Sequence, residues 1–477
     1  MQTKFLSNLA FLLFLNLLIK PFWIFGIDRA VQNEVGAEAY GSYFALFNFA
    51  LILNIFLDLG INNFNNRNIS QHEQLLGKYF PRIVALRLLL AIGYLIICVL
   101  LGFVMDYSEQ QMLMLGLLCF NQFLLSFLLF LRSNIAGLQL FRIDSFISVL
   151  DRLLMIASCG SVLWLFDTTE PFKIEWFIYT QTLSYLITVL FALIVVIRKG
   201  GKFMMNWNPM LLVLILKKSL PFALLILLMS IYGRVDSVLL ERLLENGKEE
   251  TGIYAQAFRL LDASNMIAYL FAVLLLPMFS RMIKFGGEIK PLAGLAAKLL
   301  LIPAFTLAVI CSTYGADIMN VMYQEHVTAS GQVLSLLMFS LLPMAGSYII
   351  GTLLTANGNL KELNIIALIG VISSFIFNLY LIPKYGSIGA AKTCFITQSI
   401  SFTLQFIVAA RLFDFRLFKP NTLFFILPAG LLLLISTLLL DVNWITAAGI
   451  LVVAGGLLTL IAVIPDLTLI KRLNTQA

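Results

Sequence analysis

The chain has 477 residues, of which 60% are hydrophobic and only 12% charged, and its mean hydropathy is +0.95. So few charges exclude an ordinary soluble domain, whose surface would need many more of them. The formal net charge of +7 does not indicate nucleic-acid binding either, because the basic residues are spread thinly over many loops.

Hydropathy predicts fourteen membrane spans joined by short loops, which together occupy the whole chain. We expect the first span to stay in the mature protein, because it is too long for the apolar region of a signal peptide and no small-residue cleavage site follows it. In chain order, the predicted spans are residues 5–25, 42–60, 80–104, 111–131, 146–166, 176–197, 219–241, 252–279, 292–314, 329–356, 362–382, 387–410, 421–440 and 444–464.

The loops alternate in charge along the chain. One series is basic, starting with Lys4 and ending with Arg472, whereas the other is acidic or neutral, starting with Asp28 and ending with Asp441. Because an excess of Lys and Arg marks cytoplasmic loops, we predict an even number of spans with both termini in the cytoplasm.

A short repeat divides the chain into two halves. Residues 36–47 and 247–258 both read G-x-E-x-x-G-x-Y-x-x-x-F and enter spans that lie six apart. A chance match is the alternative, but the equivalent positions indicate parallel repeats related by an axis along the membrane normal. The predicted domains are an N-terminal six-helix lobe (1–200), a cytoplasmic basic connection (201–218), a C-terminal six-helix lobe (219–411), and two additional transmembrane helices with a cytoplasmic tail (412–477).

Four basic residues inside predicted spans stand out: Lys20, Arg234, Arg259 and Lys392. A helical rise of about 1.5 Å per residue places all four at similar heights in the outer half of the membrane. They are candidates for a cationic site that binds an anionic substrate group, since charges in hydrocarbon usually face a bundle interior or a wet cavity. Alternatively, each base reaches the outer interface or is neutralised by an acid.

Six further charged residues are candidates for coupling or for ion pairs: Asp236, Asp262, Asp58, Arg87, Asp151 and Arg152. Asp262 follows Arg259 by three positions and shares its helix face, whereas Asp236 and Arg234 point to different faces. The last four candidates lie toward the cytoplasm. They fit either the lining of an inward-facing entrance or ion pairs that hold helices together.

No pattern indicates an enzyme. The two histidines, His72 and His326, are far apart in loops, the five cysteines form no CxxC, and no nucleotide-binding GxxxxGK[ST] loop is present. We therefore predict no catalytic residue, no metal, no cofactor and no nucleic-acid partner.

Four stretches resemble the polysaccharide-transporter, O-antigen flippase-like branch of the multidrug/oligosaccharidyl-lipid/polysaccharide flippase superfamily. They begin at Gly36 (Gly-x-x-x-x-Gly-x-Tyr), at Ser219 (Ser-Leu-Pro-Phe), at Gly252 (Gly-x-Tyr-x-x-Ala-Phe-Arg-Leu) and at Tyr385 (Tyr-Gly-Ser-Ile-Gly-Ala-Ala), and they are distributed over essentially the whole chain. The resemblance implies an all-α polytopic membrane protein with two pseudo-symmetric six-helix lobes plus two C-terminal helices.

The resemblance also implies a function. Such proteins move undecaprenyl-pyrophosphate-linked oligosaccharide, the repeat unit of O-antigen, capsule or exopolysaccharide, from the cytoplasmic to the periplasmic leaflet of the bacterial inner membrane by alternating access. Lys20, Arg234 and Arg259 would lie on helices that line the central cavity, and Lys392 on helix 12. Membrane lipids and the polysaccharide polymerase and ligase machinery are the expected partners.

Three other functions compete with this one. A cation-coupled multidrug antiporter of the same superfamily would prefer an acidic, aromatic-lined cavity, which the excess of bases argues against. A flippase of peptidoglycan lipid precursors is a closer alternative. A membrane-embedded polymerase or ligase typically carries a large periplasmic loop, and every outer loop predicted here is short.

Overall fold

The computed structural model describes residues 18–19, 21–62, 76–138, 140–165, 171–199, 209–413 and 423–475. Every regular element in these ranges is helical, and eleven helical segments are long and apolar enough to cross a membrane. Two of these segments, Trp23–Leu57 and Leu360–Phe413, are each broken at one glycine. The all-α membrane fold is therefore confirmed. The total of fourteen spans stays a prediction, because most of the predicted span 5–25 lies outside the described residues.

The chain divides into two compact units, Met1–Val238 and Leu239–Ala477. The helices up to this boundary are α1 (23–35), α2 (37–57), α3 (Leu76–Val104), α4 (Glu109–Gly137), α5 (Phe141–Trp164), α6 (Ile174–Lys199) and α7 (Pro209–Leu243), and the boundary itself lies inside α7. In the first unit, α4 packs against α2 and α6, while α5 packs against α6 and the start of α1.

The helices of the second unit are α8 (Gly247–Phe285), α9 (Ile289–Thr313), α10 (Val327–Ala356), α11 (360–385), α12 (387–413), α13 (Leu423–Leu438) and α14 (Trp444–Thr475), with a short helix, Gly315–Met322, before α10. Both α8 and α9 pack against α10, and the last two helices pack against α9. Small side chains at these contacts let helix backbones approach closely, as is usual in membranes. The buried contact residues include Ala268, Phe279, Ala296, Ala345 and Leu353 between α8, α9 and α10, and Ile310, Leu432 and Leu451 between α9, α13 and α14.

The outer loop predicted between the first two spans is reduced to a break at one residue, because the backbone on both sides of that residue is helical. A π-helical turn, Trp23–Asp28, leads directly into helical backbone that breaks only at Gly36, where φ is 76° and ψ is 171°. Glycine adopts this left-handed φ without steric cost. The placement of Asp28 in a loop was therefore wrong: it is 1% exposed and accepts hydrogen bonds from Tyr40 Oη at 2.9 and 3.0 Å and from Gln32 Nε2 at 3.2 Å.

A second glycine separates α11 from α12. Gly386 has φ 57° and ψ −134°, and the backbone N–H of the next residue, Ser387, donates to Glu250 Oε2 of α8 at 2.7 Å. A carboxylate at a helix N-terminus satisfies a free N–H and interacts favourably with the helix dipole. This contact therefore fixes the start of α12 against the first turn of α8.

Candidate functional site

The candidate residues are distributed over both units. Arg234, on α7, is half-buried, and its Nη1 donates to Asn48 Oδ1 on α2 at 3.2 Å. Asn48 is 1% exposed, and so is Asp236, two residues after the arginine. In the first unit, a predicted cavity cation thus lies beside a buried amide and near a buried carboxylate.

In the second unit, Arg259 and Asp262 are both half-buried on α8. Their spacing of three residues puts them on one helix face, which Asn265 continues, and Asn265 Nδ2 donates to Tyr348 Oη on α10 at 3.3 Å. This face of α8 therefore combines a base, an acid and an amide.

The other two predicted cations differ from these arginines. The Nζ of Lys392 lies 3.9 Å from the ring centroid of Tyr385, which is 50% exposed, and Lys384 lies 3.6 Å from the ring of Tyr380, which is 59% exposed. Two lysine–tyrosine pairs beside the break at Gly386 fit the interfacial alternative for Lys392. Lys20 lies outside the described residues.

Of the residues predicted toward the cytoplasm, Asp58 and Arg87 form an ion pair. The Arg87 guanidinium also donates to Asn62 Oδ1 at 2.7 Å and to the backbone oxygen and hydroxyl of Ser126 at 3.1 and 3.0 Å, and it lies 4.8 Å from the ring centroid of Phe130. Arg87 is 2% exposed. This pair joins the end of α2 to α3 and α4, which fits the structural interpretation of these two charges.

Asp151 and Arg152 behave differently. They are neighbours on α5, and Arg152 Nε lies 3.8 Å from Asp151 Oδ2, beyond hydrogen-bonding distance. Sequence reasoning missed two aromatic residues that flank this arginine, Trp23 of α1 and Tyr185 of α6. Neither could be found from spacing, since they lie far from Arg152 along the chain and come together only through packing.

The apolar helices that are long enough to cross a membrane define the class of the protein: it is a multi-pass membrane protein. Among solved structures, it is similar to the lipid II flippase MurJ in an inward closed conformation, with a TM-score of 0.66 and 16% identity over 92% of this chain and 95% of that one. It is also similar to an inward-facing multidrug resistance MATE family transporter of the MOP superfamily, with a TM-score of 0.63 and 16% identity over 82% and 94% of the two chains. At these identities the likeness shows the fold alone.

A more specific comparison comes from sequence. The family described as "Polysaccharide biosynthesis protein" matches residues 6–283, more than half of the chain, and the chain belongs to this family. CapF of Staphylococcus aureus, described as a capsular polysaccharide biosynthesis protein, is 26% identical over 198 residues, which are 41% of this chain. The chain spans about half of that relative, since the matched region covers 49% of its length.

Proposed function

We propose that this protein is a flippase that moves an undecaprenyl-pyrophosphate-linked oligosaccharide from the cytoplasmic to the periplasmic leaflet of the bacterial inner membrane by alternating access. The observation that carries the proposal is the match of a polysaccharide-biosynthesis family to more than half of a chain whose fold is that of membrane transporters. In this proposal both termini are cytoplasmic and the protein performs no chemical reaction.

The physical need for such a protein follows from the substrate. Sugar hydroxyls and a diphosphate cannot cross hydrocarbon without polar partners, whereas a polyprenyl tail is stable in lipid throughout. The protein has to supply a polar path for the headgroup only. Bases at membrane depth suit this task, because arginine donates to two phosphate oxygens at once.

We assign the substrate diphosphate to Arg234, Arg259 and Lys20, with Lys392 as a peripheral candidate. The half-burial of Arg234 and Arg259 supports this assignment, since each could be reached by a ligand. Asp236 and Asp262 are the candidates for coupling to an ion gradient or to the membrane potential. The ligand shifts the protein between its states only through different affinities for them. Polymerase and ligase proteins that use the exported repeat unit are the proposed partners.

The test is a lipid extract of cells that lack this protein, analysed by mass spectrometry. We expect undecaprenyl-pyrophosphate-linked oligosaccharide to accumulate unpolymerised, and we expect the gene to reverse the accumulation. Normal lipid-linked oligosaccharide together with increased sensitivity to cationic drugs would refute the proposal and favour the antiporter. Accumulation of the peptidoglycan precursor instead would identify the alternative flippase.

A further inference from the structure

Arg152 lies near the middle of the membrane-spanning part of α5. It is about halfway between Phe141 and Trp164, the ends of that helix. At about 1.5 Å per residue, the distance to either end is about 16–18 Å, so its backbone lies in the middle of this helix, deeper than the position toward the cytoplasm that the sequence predicted. A charged residue at this depth needs partners or access to water.

Two aromatic rings hold the guanidinium in place. Arg152 Cζ lies 5.5 Å from the ring centroid of Trp23 and 5.9 Å from that of Tyr185. Both rings are buried, and Trp23 also stacks on Phe177 at 5.7 Å with an interplanar angle of 6°. Because packing fixes the rings, the cation between them is oriented before any ligand arrives.

The hydrogen-bond donors of Arg152 remain largely available. Within the described ranges, its Nη1 contacts Met155 Sδ at 3.1 Å and Tyr185 Oη at 3.4 Å, while the Asp151 carboxylate stays at 3.8 Å from Nε. A thioether and a distant hydroxyl are weak acceptors for a guanidinium. Arg87, in contrast, directs its donors to Asp58 and other acceptors of its own unit and is 2% exposed. The side chain of Arg152 is 25% exposed, so a ligand can reach it.

A polar face leads along α5 to this arginine. Asp144, Ser148 and Arg152 are spaced by four residues and therefore lie on one side of the helix, and all three are half-buried. They run from the Phe141 end of the helix to its centre. This side of the helix therefore carries polar side chains from the Phe141 end up to Arg152.

We propose that Arg152, held between Trp23 and Tyr185, is a binding subsite in the first unit for an oxyanion of the transported molecule, either a phosphate or a sugar carboxylate. The planar guanidinium matches an oxyanion with two parallel hydrogen bonds, and a ligand can displace its weak hydrogen bonds to a thioether and a distant hydroxyl. The Asp151 carboxylate is an ion-pair partner at 3.8 Å, too far from Nε to occupy that donor by a hydrogen bond. That the oxyanion belongs to a lipid-linked saccharide rests on the proposed function. The binding itself does not.

The test is a titration of the full-length protein in nanodiscs of zwitterionic lipid, followed by tryptophan fluorescence. The probes are inorganic pyrophosphate and glucuronate, with glucose as the neutral control. We expect a saturable change with at least one anion and none with glucose, because Trp23 lies against the guanidinium. Tighter binding of pyrophosphate would indicate that the natural ligand group is the diphosphate, whereas tighter binding of glucuronate would indicate an acidic sugar. Trp23→Phe should remove the signal while calorimetry still detects binding.

Variants of the arginine decide the assignment. Arg152→Gln should weaken anion binding at least tenfold, and Arg152→Lys should keep part of the affinity, because it retains the charge but not the planar fork. The matched control is Arg132→Gln, since Arg132 is similarly exposed at 23% but already pairs with Asp144 at 2.8 Å. All variants should unfold at a temperature close to wild type, as measured with a thiol-reactive dye on the buried cysteines.

Two results would overturn the proposal: unchanged anion affinity in Arg152→Gln, or no saturable binding of either anion to the wild-type protein. The outcome is separable from that of the proposed function. Lipid accumulation in deletion cells without Arg152-dependent binding would leave the flippase and remove the subsite. Arg152-dependent binding without accumulation would leave the subsite and remove the flippase.

Discussion

The ion pair between Asp58 and Arg87 allows a quantitative prediction, because its two partners differ in burial. Arg87 is 2% exposed, whereas the side chain of Asp58 is 20% exposed and also accepts from the backbone N–H of Gly60 at 3.2 Å and of Asn62 at 3.1 Å. Removing the acid leaves a buried cation without its counter-charge. Removing the base leaves an acid that retains two donors and some water.

We therefore expect the two single substitutions to differ. Asp58→Ala should lower the free energy of unfolding by about 3–5 kcal/mol, which is typical when one partner of a buried pair is removed. Arg87→Met, which keeps most of the side-chain volume, should cost less, about 2–3 kcal/mol. The double variant should be more stable than the sum of the two costs implies, with a coupling energy of about 2 kcal/mol.

The measurement is equilibrium unfolding of purified protein in mixed micelles, followed by circular dichroism, for all four corners of the double-mutant cycle. The control is the same cycle on Arg132 and Asp144, whose side chains are 23% and 14% exposed and whose coupling should be about 1 kcal/mol or less. Additive costs at Asp58 and Arg87, or a milder effect for Asp58→Ala than for Arg87→Met, would refute the reasoning.

Three further predictions concern function and folding. Arg234→Ala and Arg259→Ala should abolish export of the lipid-linked oligosaccharide at normal protein abundance, as measured in the lipid extract; normal export by both variants would contradict the cavity assignment. Gly386→Ala should lower the free energy of unfolding by about 1–3 kcal/mol, because φ is 57° there. The control is Gly93→Ala in a helix, where the added methyl group meets no atom within 4 Å; it should be neutral or stabilising by up to about 1 kcal/mol. Equal shifts in unfolding temperature for the two variants would argue against backbone strain at Gly386. Tyr40→Phe removes a hydroxyl that donates to a buried carboxylate at 2.9 Å and should cost about 1.5–3 kcal/mol in an unfolding titration; no loss would mean that this hydrogen bond is not stabilising.

The helices could largely be predicted from sequence, because the free energy of inserting an apolar segment depends on that segment alone. Each predicted span after the first corresponds to a helix among the described residues. The prediction of the first outer loop was wrong, because a charged residue such as Asp28 is usually found in a loop. In the folded protein it is buried and accepts hydrogen bonds from Tyr40 and Gln32. The Tyr40 contact depends on the break at Gly36, because the two residues lie twelve positions apart on either side of it. A single glycine inside an apolar pattern does not indicate whether the chain turns there.

The depth of a charge is also predictable from sequence, because it follows from the helical rise, but its partners are not. From sequence, four charged residues were placed in one group because of their predicted depth: Asp58, Arg87, Asp151 and Arg152. The same two interpretations, the lining of an entrance or structural ion pairs, applied to all of them. The structure divides them according to the acceptors around each guanidinium. An arginine whose terminal nitrogens meet strong acceptors within its own unit, as those of Arg87 do, stabilises the fold, since a ligand would have to displace those acceptors. An arginine held by ring faces keeps its orientation and its free donors, which is what binding an incoming anion requires. The distinction depends on residues from α1, α4 and α6 that packing brings to α3 and α5, so it becomes visible only in the folded protein.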